Sequence, residues 1–171
     1  MLDLKQYVRE IPDFPGPGII FRDITTALKD PLALKAAIDA MADLIAGLEF
    51  DLILGPESRG FIFGVPLAYK LGKGFVPVRK AGKLPCETAR KEYALEYGKA
   101  VIEVHRDAIA PGQRVIIADD LLATGGTALA AAEITESLGG TVAGFAFLIE
   151  LESLRGRDLL KNYDVKTVLL Y

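Results

Sequence analysis

Thirteen residues, Val115 to Thr127, read V-I-I-A-D-D-L-L-A-T-G-G-T and bring two chemistries together. An apolar run ends in Asp119 and Asp120. Adjacent carboxylates at a strand end repel each other unless a vicinal diol supplies donors or a magnesium-bound ligand supplies positive charge. Ala123, Thr124, Gly125, Gly126 and Thr127 follow, leading into a helix-like segment. The glycines let the backbone approach a ligand and adopt positive φ. Amides at a helix start favour an anion, and the two threonines add hydroxyl donors. A sugar phosphate needs both features at once. The bland alternatives are solvated acids at a strand end and an ordinary loop with a Thr cap. The order of strand, acid pair, loop and helix favours a ligand site. It is not a P-loop, because no Gly-Lys-Ser/Thr follows, and no G-x-G-x-x-G stands at a strand–helix junction.

The elements that must position these residues follow from periodicity. Asp30 and Pro31 suit a helix start. Leu34, Ile38, Met41, Ile45 and Leu48 then recur as one apolar stripe. Asp51 to Leu54 reads as a short buried strand ended by Gly55-Pro56, and Phe61 to Leu71 as a helix closed by Gly72. Phe75 to Val78 is another strand. Arg79 to Lys91 is basic, lacks a period and is expected to be a long exposed loop. Tyr93 to Val104 suggests a β-ribbon turning near Gly98. Arg114 to Ala118 is a buried strand, Thr127 to Leu138 a helix, and 142–149 and 165–170 are the last strands. Alternating strands and helices imply an α/β fold with a mostly parallel, doubly wound sheet. Ligands bind such sheets beyond the carboxyl ends of strands, where Asp119, Asp120 and Gly55 to Gly60 are expected.

Composition bounds the class. The chain has 171 residues, 51% of them hydrophobic, which suits one globular domain spanning 1–171. No apolar run approaches the roughly 18 residues of a membrane helix. The N-terminal residues lack a signal-peptide pattern, so a cytoplasmic protein with no membrane partner is expected. One Cys and one His argue against a disulfide and a zinc site. A net charge of −3 argues against nucleic acid as a partner. His105 reads as a hydrogen-bonded structural residue, and Cys86 receives no role.

The segment 115–127 resembles the phosphoribosyl-pyrophosphate (PRPP) signature of type I phosphoribosyltransferases. Four further blocks, 11–25, 55–64, 75–85 and 95–99, resemble, in order, those of the adenine-specific branch of that family. The resemblance spans essentially the whole chain. It implies transfer of the 5-phosphoribosyl group from PRPP to adenine, giving AMP and pyrophosphate. It also implies a five-stranded parallel core, a small N-terminal hood (mainly 1–30), a flexible β-ribbon lid (about 79–104) and a homodimer. Magnesium would arrive with PRPP, with no direct protein ligand and Asp119 and Asp120 within reach through water.

Roles follow block by block. Ala123 to Thr127 would hold the 5-phosphate, and Asp119 and Asp120 the ribose hydroxyls. Glu57, Ser58 and Arg59 resemble the family's pyrophosphate loop, with a non-proline cis peptide expected between Glu57 and Ser58. Arg59 offers a fork of donors suited to phosphate oxygens and is placed with the catalytic residues. Arg79, Lys80 and Lys83 would reach pyrophosphate, with Arg79 and Lys83 reaching across to a partner subunit's site. Ala81 stands where the family commonly has Pro. Glu96 is the catalytic candidate, managing the proton that adenine loses, and Tyr97 would assist lid closure or contact phosphate. Phe21, Arg22 and Leu151 are expected around adenine. Another purine base, or a PRPP-sensing regulator that binds nucleic acid, are the alternative readings.

Overall fold

A computed structural model describes residues 2–94 and 98–171. They separate into two units, Met1–Ala40 and Met41–Tyr171.

In the first unit a short 3-10 turn, Leu4–Tyr7, is capped by Asp3. A hairpin follows, β1 (Arg9–Pro12) pairing antiparallel with β2 (Ile20–Asp23). Asp23 ends the hairpin and starts the helix α1 (Thr25–Lys29), its carboxylate accepting from the Thr25 amide at 2.9 Å and hydroxyl at 2.8 Å. Helix α2 (Pro31–Ile45) begins as its sequence dictates, with Asp30 Oδ1 accepting from the amides of Leu32 and Ala33. Its buried row differs from the expected stripe: Ala33, Ala37, Met41 and Ile45 are buried, whereas Leu34 and Ile38 are only half-buried. Leu48 lies beyond the helix end. A scan for large apolar side chains misses a buried face that begins with alanines.

The second unit is built on a seven-stranded sheet. Its strands are β3 (Leu52–Pro56), β4 (Gly74–Lys80), β5 (Thr88–Ala94), β6 (Lys99–His105), β7 (Arg114–Leu122), β8 (Thr141–Glu150) and β9 (Val165–Leu170), in the order β5-β6-β4-β3-β7-β8-β9. The five from β4 to β9 run parallel, and β5 and β6 form an antiparallel ribbon attached to β4. Helix α3 (Arg59–Leu71) connects β3 to β4, and α4 (Gly126–Ser137) connects β7 to β8.

The continuous run V-I-I-A of β7 fits a strand covered on both faces. Successive side chains alternate: Val115 and Ile117 join the core formed with Ala128, Ala131 and Ile134 of α4, whereas Ile116 and Ala118, equally buried, lie outside that cluster. The chain leaves β3 toward β4 on one side and leaves β7 toward β8 on the other. The carboxyl ends of β3 and β7 therefore flank the switch point of the sheet, where such folds open a crevice.

Two expectations are corrected. Arg79 to Lys91 is not one long loop: Arg79 and Lys80 pair with Glu103 and Ile102, and Thr88 to Lys91 belong to β5, leaving only 81–87 between strands. A charged sequence can form a strand here because β5 is a sheet edge, where charged side chains reach water and discourage further pairing. The strand expected to stop at Ala118 runs on to Leu122, so the Asp pair lies within the ladder, with Asp119 opposite Phe147.

Candidate active site

One cavity of about 300 Å³ opens at the switch point, a size suited to a small ligand. It gathers Glu57, Ser58 and Arg59 from the end of β3, Asp119 and Asp120 from β7, and Ala123 to Thr127 from the loop entering α4. Lys80, Tyr93 and Phe147 complete its walls. Sequence blocks more than 60 positions apart thus converge on one space.

The loop into α4 is shaped by its glycines. Gly125 has φ 85°, and a Cβ there would stand 2.6 Å from the Gly156 carbonyl oxygen. A Cβ on Gly126 would stand 3.3 Å from the Ala94 carbonyl oxygen. Gly125 caps α4 without a side-chain hydrogen bond, so the first amides of the helix keep their donors for a ligand. The Thr127 hydroxyl donates to the Tyr93 hydroxyl at 3.1 Å, tying this loop to β5. Nothing in the spelling of Lys-Glu-Tyr-Ala announced Tyr93 as a wall of the site; only strand pairing brings it there.

Asp120 is buried and Asp119 half-buried. Burial, reinforced by the charge of Asp120, pushes the Asp119 carboxyl well above the ordinary aspartate range. Burial also raises Asp120, against the opposing pull of Arg59, whose Nε lies 3.0 Å from Asp120 Oδ2. That contact is a charge pairing without hydrogen-bond alignment, leaving Oδ2 with no hydrogen-bond partner. Asp119 Oδ1 accepts the Asp120 amide at 2.8 Å. Gly60 permits this packing, since a Cβ on it would stand 2.9 Å from Asp119 Oδ1.

The Glu57–Ser58 peptide is cis, as expected. The Glu57 carboxylate accepts from Arg79 Nε at 2.8 Å and from the Lys80 amide at 2.7 Å, with Lys83 Nζ 3.3 Å from Oε1. Burial raises the Glu57 carboxyl, but these donors outweigh it and hold it below the usual range. Of the basic cluster, Lys80 reaches the cavity wall, whereas Arg79 and Lys83 are turned onto Glu57 of their own chain. A second buried acid, Glu103, fixes the same segment by accepting the amides of Lys83 and Leu84 at 3.0 and 3.1 Å.

Phe21 and Arg22 belong to β2; Phe21 packs edge-to-face on Phe14, and Arg22 pairs with Glu10. Leu151 is half-buried just past β8, its amide donating to the Leu122 carbonyl at 3.0 Å, and it does not line the cavity. Glu96 and Tyr97 lie outside the described residues. His105 Nε2 is 2.7 Å from the Pro85 carbonyl oxygen, in keeping with a structural histidine. Among the described residues, no cluster of three or more His, Cys, Asp or Glu is placed to hold a metal ion.

Comparison with known proteins adds the family. The phosphoribosyl transferase domain matches residues 25–170. An adenine phosphoribosyltransferase of Lachnoclostridium phytofermentans is 60% identical over 171 residues, covering 100% of this chain and 98% of that protein. The chain belongs to the adenine phosphoribosyltransferase family. The crystal structure of the family member from Thermoanaerobacter pseudethanolicus superposes with a TM-score of 0.96 at 55% identity, covering 98% of both chains. The Saccharomyces cerevisiae member, crystallised with an imino-altritol bisphosphate and adenine, superposes with a TM-score of 0.91 at 44% identity, covering 97% of this chain and 96% of that one. The mostly parallel α/β sheet expected from the sequence is the sheet of this family.

Two substitutions test the geometry. Gly125→Val places side-chain atoms where the Gly156 carbonyl stands, so calorimetry should show PRPP affinity reduced more than 100-fold, on the order of 3 kcal/mol, in a protein that still folds. Full affinity would contradict the cradle. Asp119→Asn removes an acid whose native pKa lies above its unfolded value. Such an acid lowers stability as pH rises from about 4 toward that raised pKa. The variant should therefore melt higher than the parent at pH 7, and the gain should vanish near pH 3. Its PRPP affinity should fall about 10- to 100-fold, the worth of a charge-assisted hydrogen bond.

Proposed function

We propose that the chain transfers the 5-phosphoribosyl group from PRPP to adenine, releasing pyrophosphate and forming AMP, a step of purine salvage. The observation that carries this reading is the cavity itself. It sets a helix N-terminus for a phosphate beside two carboxylates for a diol, one buried and one half-buried, in a chain 60% identical to an adenine phosphoribosyltransferase. The yeast relative's structure with adenine supports the choice of base.

In this mechanism the amides and hydroxyls of Ala123 to Thr127 bind the 5-phosphate. Asp119 and Asp120 accept the ribose hydroxyls, whose donors relieve the cost of holding these acids partly out of water. Their negative charge also favours the positive charge that develops on the ring as the bond to pyrophosphate breaks. The departing oxygen keeps the bonding electron pair, and an imidazole nitrogen of adenine takes its place at the anomeric carbon. Glu57, Ser58, Arg59 and Lys80 form the pyrophosphate side, with Arg79 and Lys83 held close by Glu57. Glu96 is proposed to take the proton from adenine.

Magnesium is proposed to enter bound to PRPP, where it would neutralise pyrophosphate charge. The acid pair, with Asp120 Oδ2 lacking a hydrogen-bond partner, suits a hydrated cation. Phe21, Arg22 and Leu151 are proposed adenine contacts on the strength of their sequence blocks, and 1–30 and 79–104 the proposed hood and lid of one domain. A homodimer is proposed as well. Helix α3 exposes Ile62, Val65 and Tyr69 along one side, Tyr69 being 90% exposed, an apolar row that a second copy would cover. A cytoplasmic location, without nucleic-acid or membrane partners, completes the proposal; no described helix is long and apolar enough to cross a membrane.

Assaying adenine, hypoxanthine, guanine and xanthine in turn with PRPP should give turnover with adenine at least 100-fold above the others. Turnover of guanine with none of adenine would reverse the assignment. Glu96→Gln should lower kcat about 100-fold while PRPP affinity stays within threefold, the pattern of lost general base catalysis. Unchanged turnover would remove Glu96 from the mechanism.

A further inference from the structure

Past β8 the chain makes two 3-10 turns, Glu152–Leu154 and Gly156–Asp158, and passes directly behind the phosphate cradle. The approach is backbone on backbone. A Cβ on Gly156 would stand 2.3 Å from the Ala123 carbonyl oxygen, and one on Gly125 would stand 2.6 Å from the Gly156 carbonyl oxygen. At this distance neither segment can move toward the other, so the turn sets how far back the cradle can sit.

The neighbour of Gly156 is pinned with all three of its guanidinium nitrogens engaged. Arg157 Nε donates to Glu150 Oε1 at 2.6 Å, Nη1 to the Val165 carbonyl at 2.9 Å, and Nη2 to Thr167 Oγ1 at 2.6 Å. The Thr167 hydroxyl donates in turn to Glu150 Oε2 at 2.6 Å. The Glu150 side chain is only 6% exposed, so few waters can replace the arginine. Burial raises the Glu150 carboxyl, but Arg157 and Thr167 more than offset this and leave it below the usual range. The planar fork of an arginine reaches these three acceptors from three separate nitrogens, whereas a lysine's three donors radiate from a single one.

We propose that Arg157, clamped by Glu150 and Thr167, is a positioning residue for the 5-phosphate cradle: it fixes Gly156, whose backbone forms the wall that holds Ala123 to Gly125 in their binding geometry. The proposal rests on the reading that this cradle receives the 5-phosphate. Neither Arg157, Glu150 nor Thr167 lines the cavity, so each acts through Gly156 and not on the ligand.

The test compares four variants of the full chain, Arg157→Ala, Arg157→Lys, Thr167→Val and Gly156→Ala, by calorimetric titration with ribose 5-phosphate and by steady-state kinetics. Arg157→Ala should weaken ribose 5-phosphate binding and raise KM for PRPP about tenfold. Its kcat at saturating PRPP and its KM for adenine should stay within twofold. Arg157→Lys should recover part of the loss. Gly156→Ala should weaken ribose 5-phosphate binding comparably with the arginine intact, because its methyl group presses on Ala123. Thr167→Val, which removes the hydroxyl's hydrogen bonds to both Arg157 and Glu150 and keeps the ion pair, should show a two- to threefold loss and carries the test should Arg157→Ala not fold. Unchanged ribose 5-phosphate affinity in folded Arg157→Ala or in Gly156→Ala would overturn the proposal, as would equal losses in kcat, adenine KM and PRPP KM. A parent protein that binds ribose 5-phosphate but does not join adenine to PRPP would instead overturn the choice of reaction.

Discussion

Asp119 and Asp120 are neighbours on β7, the middle strand of the parallel five, one half-buried and one buried, and both are pushed toward their protonated forms by loss of solvation. A fold keeps such an arrangement only if something else in the site compensates, because desolvated like charges cost stability wherever they stand. Arg59 supplies part of the compensation, at the start of a helix whose dipole disfavours a cation. Hydroxyls from a bound sugar would supply more. The tension between the acid pair and its surroundings is thus the signature of a site built for a ligand rich in donors and positive charge.

The opposite charge is arranged with equal economy. The cradle uses no cationic side chain: its positive character comes from the amides at the start of α4, admitted by Gly125 and Gly126. Among the cations, Arg79 and Lys83 are held by Glu57, and Arg59 by Asp120. A sugar carrying a monoester and a pyrophosphate would find amides, carboxylates and cations around one cavity. Two buried acids away from the cavity do the scaffolding. Glu103 holds the segment that carries Lys83, and Glu150 holds the turn behind the cradle.

Much of this was legible in the sequence where chemistry and periodicity coincide within a few residues. V-I-I-A reads as a buried strand, and Asp-Asp followed by Thr-Gly-Gly-Thr favours a ligand site at its end over solvated acids and a plain capped loop. What escaped was set by contacts distant in sequence. Tyr93 enters the cavity because β5 folds back on β6, and Gly156 backs the cradle because of a turn with no periodic signal. The basic stretch beginning at Arg79 reads as a solvated loop because its charge, Gly82 and Pro85 and its lack of a period all point to irregular backbone. On an edge strand charge is compatible with the ladder. The α2 face misled for the opposite reason, since alanines bury a helix without announcing it.

The central claim is that main-chain amides ahead of α4 bind a phosphate monoester while the acid pair binds the attached pentose. A crystal structure with AMP bound tests it most directly. The phosphate oxygens should lie about 3 Å from amide nitrogens of the segment 123–127, hydrogen-bond distance, with the ribose hydroxyls on Asp119 and Asp120. AMP bound elsewhere, with this cavity empty, would contradict the account.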